Sequence, residues 1–368
     1  MAKRGDGQRG KVKKNGRRAE EAPAQRSGTV AIIGRPNVGK STLLNAALEQ
    51  PLAIVSPMPQ TTREALLGVV HHGPAEIALL DTPGLHRPKT ELGRRMNNAA
   101  REAARRADVI VFVTDVPQRL ATKGSPEAAT PEAPLPPPRV HPGDVTLLAD
   151  LKDGAPVILV LNKIDRFRDK AEMLPLLEVL HKAHPFAAVV PISARREDGV
   201  KLVLDELAKH CPEGAWRFDA DEVTDKPTRF FAAEYVREQI LRATEAEVPH
   251  AAAVVIEQYH EPVGAGVVRI DATIHVERPG QKKILIGHGG EMLKRIGIEA
   301  RQRIEDLIGR QINLKLWVRV TPDWRQSVAA LAELGYSAPG EQEGEVMIEA
   351  ELPEPAAGAS EEGQEEQP

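Results

Sequence analysis

Gly34-Arg35-Pro36-Asn37-Val38-Gly39-Lys40-Ser41, followed at once by Thr42-Leu43-Leu44, decides how this chain is read. The octapeptide stands between an unbroken apolar run at 29–33 and a helical pattern. It therefore fits G-x-x-x-x-G-K-[ST] in the strand, loop, helix setting which that pattern requires. Glycines let successive backbone N–H groups turn inward around a polyphosphate, and the positive end of the following helix adds to them. Lys40 would reach the terminal phosphates, and the Ser41 hydroxyl is a hard oxygen suited to Mg²⁺.

Outward from this loop, further apolar runs lie at 77–80, 109–114, 157–161 and 189–192, rich in Val, Ile and Leu with no polar alternation. Such runs are expected of strands buried on both faces of a mainly parallel sheet. Helical patterns at 91–107 and 172–183 separate them. Residues 28–212 are thus predicted to form a doubly wound α/β P-loop domain. One stretch departs: Pro117, Pro126, Pro131, Pro134, Pro136, Pro137, Pro138 and Pro142 forbid a regular element over 117–143. It is predicted as an extended or disordered surface insertion ahead of a short helix at 145–151.

A phosphate loop alone names no base. Asn162-Lys163-Ile164-Asp165 closes the run at 157–161. A carboxylate there can accept from both N1–H and the exocyclic amino group of guanine. Facing adenine, Asp165 would keep a desolvated, unpaired charge. Ser193-Ala194, at another strand end, can donate a backbone N–H to the guanine carbonyl oxygen. Asp81-Thr82-Pro83-Gly84 supplies an acidic residue near the metal and, at Gly84, an N–H able to sense the γ-phosphate. In Gln60-Thr61-Thr62-Arg63 one threonine would complete the Mg²⁺ shell. Thr62 is preferred over Thr61, a pair that sequence does not separate. Loss of the γ-phosphate would release both loops. Lys40, Thr62, Asp81 and Gly84 are therefore the candidates for catalysis, with Ser41, Thr62 and Asp81 around Mg²⁺. Leu85 follows Gly84, where Ras-like proteins place a glutamine that orients the attacking water. Leucine has no group for that task, so catalysis must rest on backbone, solvent, a metal ion or a partner. The Asn37 carbonyl is a candidate ligand for K⁺ between the phosphates.

Residues 213–227 read as an acidic linker, and 228–336 as an α+β domain. A helical pattern at 230–243 precedes two alternating segments, one marked by Val254 and Ile256, the other by Val268, Ile270, Ala272, Ile274 and Val276. A helix at 291–308 and a strand with Ile312, Leu314, Leu316, Val318 and Val320 on one face complete it. Alternation predicts one covered and one open sheet face. Ile286-Gly287-His288-Gly289-Gly290, running into a basic helix, resembles the GXXG loop of a type II KH domain, which clamps about four unpaired nucleotides. Glycines at 287 and 290 permit close approach to phosphates, and Lys282, Lys283, Lys294 and Arg295 flank them. From 278 to 325 eleven Lys/Arg stand against five Asp/Glu, the electrostatic footprint of phosphate contacts. His288 could touch RNA. Trp317 and Trp324 could each stack a base or pack in the core.

The net charge is −4, but it is unevenly spread. Residues 1–27 carry nine Lys/Arg against three carboxylates, and residues 337–368 carry ten Glu with no basic residue. Both are predicted as disordered tails. The single cysteine, Cys211, excludes an internal disulfide and a thiolate metal cluster. No apolar run reaches the roughly 18 residues that span a bilayer. A cytoplasmic protein is expected, its basic arm able to touch an anionic membrane or RNA.

On these residues the chain resembles the Era family of bacterial ribosome-assembly GTPases. The resemblance rests on 34–41, 60–63, 81–86, 162–165 and 191–194, and in the second domain on 279–290 and 296–301. It implies hydrolysis of GTP with Mg²⁺ and binding near the 3′ end of small-subunit ribosomal RNA. It further implies a role in maturing the 30S subunit and peripheral inner-membrane association; a monomer is expected. The loop reads Gly-His-Gly-Gly where relatives usually carry a lysine. A tRNA-modifying GTPase is one rival; it needs a reactive cysteine near its C-terminus, and none follows Cys211. The other is a module that holds GTP without turnover, which Leu85 keeps open. The mechanism expected couples nucleotide state to RNA grip across the linker.

Overall fold

Strands that carry no polar alternation need cover on both faces, and the first sheet provides it. The computed structural model describes residues 24–116, 140–151, 154–167, 173–264 and 266–336. The arm up to residue 23, the insertion from 117 to 139 and the acidic tail from 337 lie outside the described residues. Strands β1 (Arg26–Ile33), β2 (Leu66–His72), β3 (Ala75–Asp81), β4 (Val109–Asp115), β5 (Val157–Asn162) and β6 (Ala188–Pro191) form one sheet in the order β2-β3-β1-β4-β5-β6. All neighbours run parallel except β2, which pairs antiparallel with β3. Helices α1 (Lys40–Leu48), α2 (Glu91–Arg106), α3 (Pro142–Ala149), α4 (Leu174–Ala183) and α5 (Val200–His210) accompany the sheet. One apolar layer joins Ile32 and Val111 to Leu44 and Leu207; the other joins Ile33, Phe112 and Leu159 to Leu148 and Leu180. Each such side chain contributes about 1.5–3 kcal/mol on full burial.

Three expectations need correction. The sequence reading has no β2, because Gly68 interrupts its apolar run and His71 and His72 end it. A Cβ at Gly68 would lie 2.8 Å from Leu44 and Leu48, so the glycine is what lets β2 approach α1. The basic arm expected over 1–27 ends earlier, since Arg26 and Ser27 already pair with Ala75 and Glu76. Pro142, placed within the insertion, instead opens α3 at its first turn, where a missing N–H costs nothing.

The segment 213–227 is not a free tether. Its Val223 carbonyl accepts from Val69 N at 2.9 Å, and the N–H groups of Arg217 and Phe218 meet the buried Glu76 carboxylate at 2.8–3.0 Å. Beyond it come α6 (Thr228–Ala243), α7 (Val248–Ala251), β7 (Ala253–His260), β8 (Val268–Val276), α8 (Pro279–Ile286), α9 (Glu291–Ile308), β9 (Ile312–Val320) and α10 (Val328–Glu333). Strand β7 pairs antiparallel with β8, and β8 parallel with β9. This is the type II KH arrangement, with α8 as an element the sequence reading lacks. Strand β9 alternates as expected, its even-numbered residues more covered than Asn313, Lys315, Trp317 and Arg319. The two domains share a continuous buried apolar cluster, from Leu52 and Ile54 after α1 to Tyr235 and Ile240 on α6. Among the described residues no helix is long and apolar enough to cross a membrane.

Candidate nucleotide site and its contacts with the second domain

The C-terminal ends of β1, β3, β4 and β5 open onto one cavity of about 1320 Å³. In a sheet of this order that is where a ligand is expected. Lys40, the first residue of α1, is buried there, its Nζ donating to the Gly34 and Arg35 carbonyls at 3.2 and 3.1 Å. Burial pushes its ammonium down to about 8; Asp81 opposes the shift and Arg35 adds to it. A polyphosphate would supply the anion that this amine lacks. Gly39, with φ +103°, precedes the helix, and a Cβ on it would collide with the Asn162 amide. Thr42, in the first turn of α1, also lines the cavity.

Three oxygens converge beside Lys40. Ser41 Oγ donates to Asp81 Oδ2 at 2.6 Å, Thr62 Oγ1 donates to the same oxygen at 3.1 Å, and the two hydroxyls lie 2.9 Å apart. Thr61 turns away and donates to the Met58 carbonyl at 2.8 Å. Burial raises the Asp81 carboxyl above its ordinary range, against the pull of Lys40 and the two hydroxyls. Its Oδ1 is buried with no hydrogen-bond partner among the described residues. Hard oxygens around an orphaned carboxylate atom suit a divalent cation such as Mg²⁺.

Thr82 and Pro83 support this wall from below, with Thr82 Oγ1 donating to the Ile32 carbonyl at 2.7 Å. A Cβ at Gly84 would sit 2.7 Å from Pro36, so only glycine lets this loop lie against the phosphate loop. The Leu85 N–H donates to Gly34 O at 3.3 Å while its side chain joins the core. Asn37, in the left-handed region at φ +62°, donates its amide to the Pro57 carbonyl at 2.8 Å.

At the other end, Asn162 braces the loops: Nδ2 donates to Val38 O at 2.8 Å, and Oδ1 accepts from Lys163 N and Ala194 N at 2.7 and 3.0 Å. Lys163 reaches across to Asn37 O and Asp115. Ile164 begins a single 3-10 turn that presents Asp165, whose Oδ1 accepts from Ser193 Oγ at 2.6 Å. One expectation changes here. The Ser193 N–H is taken by Asp198 O and the Ala194 N–H by Asn162, so a guanine carbonyl would have to draw the latter from Asn162. The sequence reading also misses a side-chain network at the rim. Arg35 pairs with Asp115 at 3.0 Å and with buried Asp144 at 2.8 Å, and Thr114 donates to Asp144 at 2.8 Å. Asp115, ending β4 beside the phosphate loop, was the signal available for it.

In the second domain Gly287 has φ +75°, and a Cβ there would meet Met292 at 2.7 Å. Gly289 and Gly290, at φ +57° and +84°, have open space around them, leaving bare backbone ahead of α9. His288, Gly289, Lys283, Lys294 and Arg295 are exposed around this turn, while Lys282 and Ile286 are half-buried. The two tryptophans part company. Trp317 is 48% exposed on β9, whereas Trp324 is fully buried and donates to the Ala251 carbonyl at 2.9 Å, so it is a core residue.

The residue after Thr62 belongs to both domains. Arg63 is buried, and its guanidinium donates to the Ala252, His250 and Pro249 carbonyls at 2.7, 3.0 and 3.4 Å and to Tyr336 Oη at 3.3 Å. Its charge lies 5.6 and 5.9 Å from the ring centres of Trp324 and Tyr336. Arg237 of α6, itself held by Glu234, donates to the Thr61 carbonyl. From the other loop, α2 docks on the same region: Leu92 N donates to Arg325 O at 3.0 Å and Arg95 to Tyr336 O at 2.6 Å. Leu92 and Met96 pack there against Trp324, Leu331 and Tyr336.

Two family models match the chain, one described as a 50S ribosome-binding GTPase over residues 29–163 and one as a KH domain over 247–325. The chain is 42% identical over 311 residues to the GTPase Era of Lactobacillus delbrueckii subsp. bulgaricus, covering 84% of this chain and 96% of that one. It is 43% identical over 312 residues to the GTPase Era of Xylella fastidiosa, covering 84% and 97%. Among solved structures it is similar to Era in complex with MgGDPNP and nucleotides 1506–1542 of 16S ribosomal RNA. That match has TM-score 0.76 and 38% identity, over 85% of this chain and 99% of the other. A point variant of Aquifex aeolicus Era bound to GDP and aluminium fluoride matches with TM-score 0.75 and 39% identity, over 85% and 100%.

Proposed function

The chain belongs to the Era family of GTPases, and from that premise we propose that it holds Mg²⁺–GTP in the cavity around Lys40 and binds small-subunit ribosomal RNA near its 3′ end. The observation that carries this reading is the convergence of Ser41, Thr62 and Asp81 beside a buried lysine, with Asp165 on the strand end opposite. In this reading the loop 34–42, through its backbone N–H groups other than at Pro36, and Gly84 cradle the phosphates, Lys40 binds the terminal two, and Asn162–Asp165 with Ser193 and Ala194 hold the guanine. Bound Mg²⁺ would neutralise developing charge between the β- and γ-phosphates. The G domain would span 28–212, joined by 213–227 to an RNA-binding domain at 228–336.

The RNA surface would be the bare turn at 286–290 with Lys282, Lys283, Lys294 and Arg295. One family model names the 50S particle, but the solved relative that matches both domains holds 16S RNA, and the proposal follows it. The role would be in maturation of the 30S subunit, by a monomer in the cytoplasm whose basic arm touches the inner membrane only peripherally. For K⁺, the Asn37 amide nitrogen is occupied by Pro57, which leaves Oδ1 as the side-chain acceptor open to a cation. Equal single-turnover rates in KCl and NaCl would remove that ligand.

The test uses the full chain. Filter binding to a 16S 3′-terminal fragment should give tight binding that is lost when His288 and Gly289 both become Asp, with hydrolysis by the free protein intact. Unchanged RNA affinity in the double variant would move the RNA site elsewhere.

A further inference from the structure

Leu85 is buried where an amide side chain would otherwise hold the attacking water, so the cavity needs that group from another direction. One residue on, His86 faces the loop that carries Thr62. Its Nε2 lies 3.0 Å from Gln60 Nε2, and its Nδ1 lies 3.0 Å from the Arg87 carbonyl. A carbonyl only accepts, so Nδ1 carries a proton, and in the neutral ring Nε2 then offers a lone pair. Gln60 Nε2–H donates to that lone pair. The amide is thereby fixed: its nitrogen is tied, and its Oε1 has no donor among the described residues.

The backbone points the same way. Gln60 stands at φ +64°, a left-handed conformation that costs a non-glycine residue about 1 kcal/mol or more unless its surroundings impose it. Its neighbour Thr61 is pinned at both ends, by Met58 and by Arg237. On the other side, the Asn97 amide of α2 accepts from His86 N at 3.4 Å and donates to His86 O at 2.6 Å. Gln60 lines the same cavity as Lys40, Thr62 and Gly84.

We propose that Gln60 Oε1 accepts a hydrogen bond from the water that attacks the γ-phosphorus, and that His86 is the positioning residue that holds the amide for it. The water oxygen bonds to phosphorus as the bond to the β–γ bridging oxygen breaks. GDP leaves with that electron pair, and the water protons pass to the released phosphate and to solvent. Gln60 would then serve from the first loop the purpose that Leu85 does not serve from the second. The proposal rests on the reading of the cavity as the GTP site.

The experiment is single-turnover hydrolysis of GTP by the full chain, beside titrations with GDP and with GDP–aluminium fluoride. Gln60→Ala should slow the chemical step by about 10²-fold, keep GDP affinity within about threefold, and lose affinity for the fluoride complex in step with the rate. His86→Ala should slow it about tenfold, and His86→Gln should restore most of that, since a glutamine oxygen can take the place of Nε2. Wild-type hydrolysis by Gln60→Ala, or loss of GDP affinity in proportion to its rate, would overturn the assignment of Gln60. His86→Gln as slow as His86→Ala would overturn the positioning role. Failure of the unaltered chain to bind guanine nucleotide would instead overturn the reading of the cavity itself.

Discussion

Burial takes the Lys40 ammonium down to about 8 against the opposing pull of the Asp81 carboxylate. A bound polyphosphate would raise that value again, so binding takes up a proton wherever free Lys40 has lost its own. The sign follows: GDP affinity should be level below about pH 8 and fall above it by up to tenfold per pH unit. Calorimetry in two buffers of different ionisation enthalpy checks this through proton uptake at pH 9. At the base end, Asp165→Asn should move preference from GTP toward XTP, because an amide meets the second carbonyl of xanthine where the carboxylate met the guanine amino group. Retained GTP preference in a competition assay would contradict the base-reading role. Much at this scale was legible. The phosphate loop and the residues at strand ends carry their chemistry in type and spacing. The choice between Thr61 and Thr62 was not, because adjacent side chains leave the backbone in different directions and only the fold shows which one faces Asp81.

The loop from Pro51 to Arg63 is one of the elements on which the domains meet. Pro51 O accepts from Arg303 of α9 at 2.6 Å, Thr61 O accepts from Arg237 of α6, and Arg63 enters the second domain outright. Arg63 is one peptide from Thr62, so a backbone shift at Thr62 would be carried to the residue that enters the second domain. Arg63→Lys should leave GDP affinity nearly unchanged, since the side chain is remote from the phosphates. A lysine cannot satisfy four oxygens set as a fork demands, so thermal stability should drop by about 1–3 kcal/mol. Differential scanning calorimetry beside a GDP titration separates the two effects. These contacts were illegible beforehand, since the acceptors of Arg63 lie 186 to 273 residues further along the chain. Strands β1 and β3 to β6 were legible because burial on both faces leaves a continuous apolar run. Edge strand β2 was not, because Gly68 and two histidines break its pattern.

At the scale of the whole molecule, the linker is packed against the first domain. It lies along β2 and β3, held by Val69 and Glu76. Direct contacts between the domains run through Arg63, next to Thr62, on one loop and through α2 after the other, and both end on Trp324 and Tyr336. Nucleotide that orders Thr62 and Gly84 would set the second domain through these contacts, and loss of the γ-phosphate would relax them. The most direct test is the affinity of the full chain for a 16S 3′-terminal RNA fragment, measured at fixed salt with GDP and with a non-hydrolysable GTP analogue, in the unaltered chain and in Arg63→Ala. The account predicts at least about tenfold tighter binding with the GTP analogue in the unaltered chain, a coupling of about 1.4 kcal/mol, and near-equal affinities in the variant. Equal affinities in the unaltered chain, or an undiminished difference in Arg63→Ala, would contradict it.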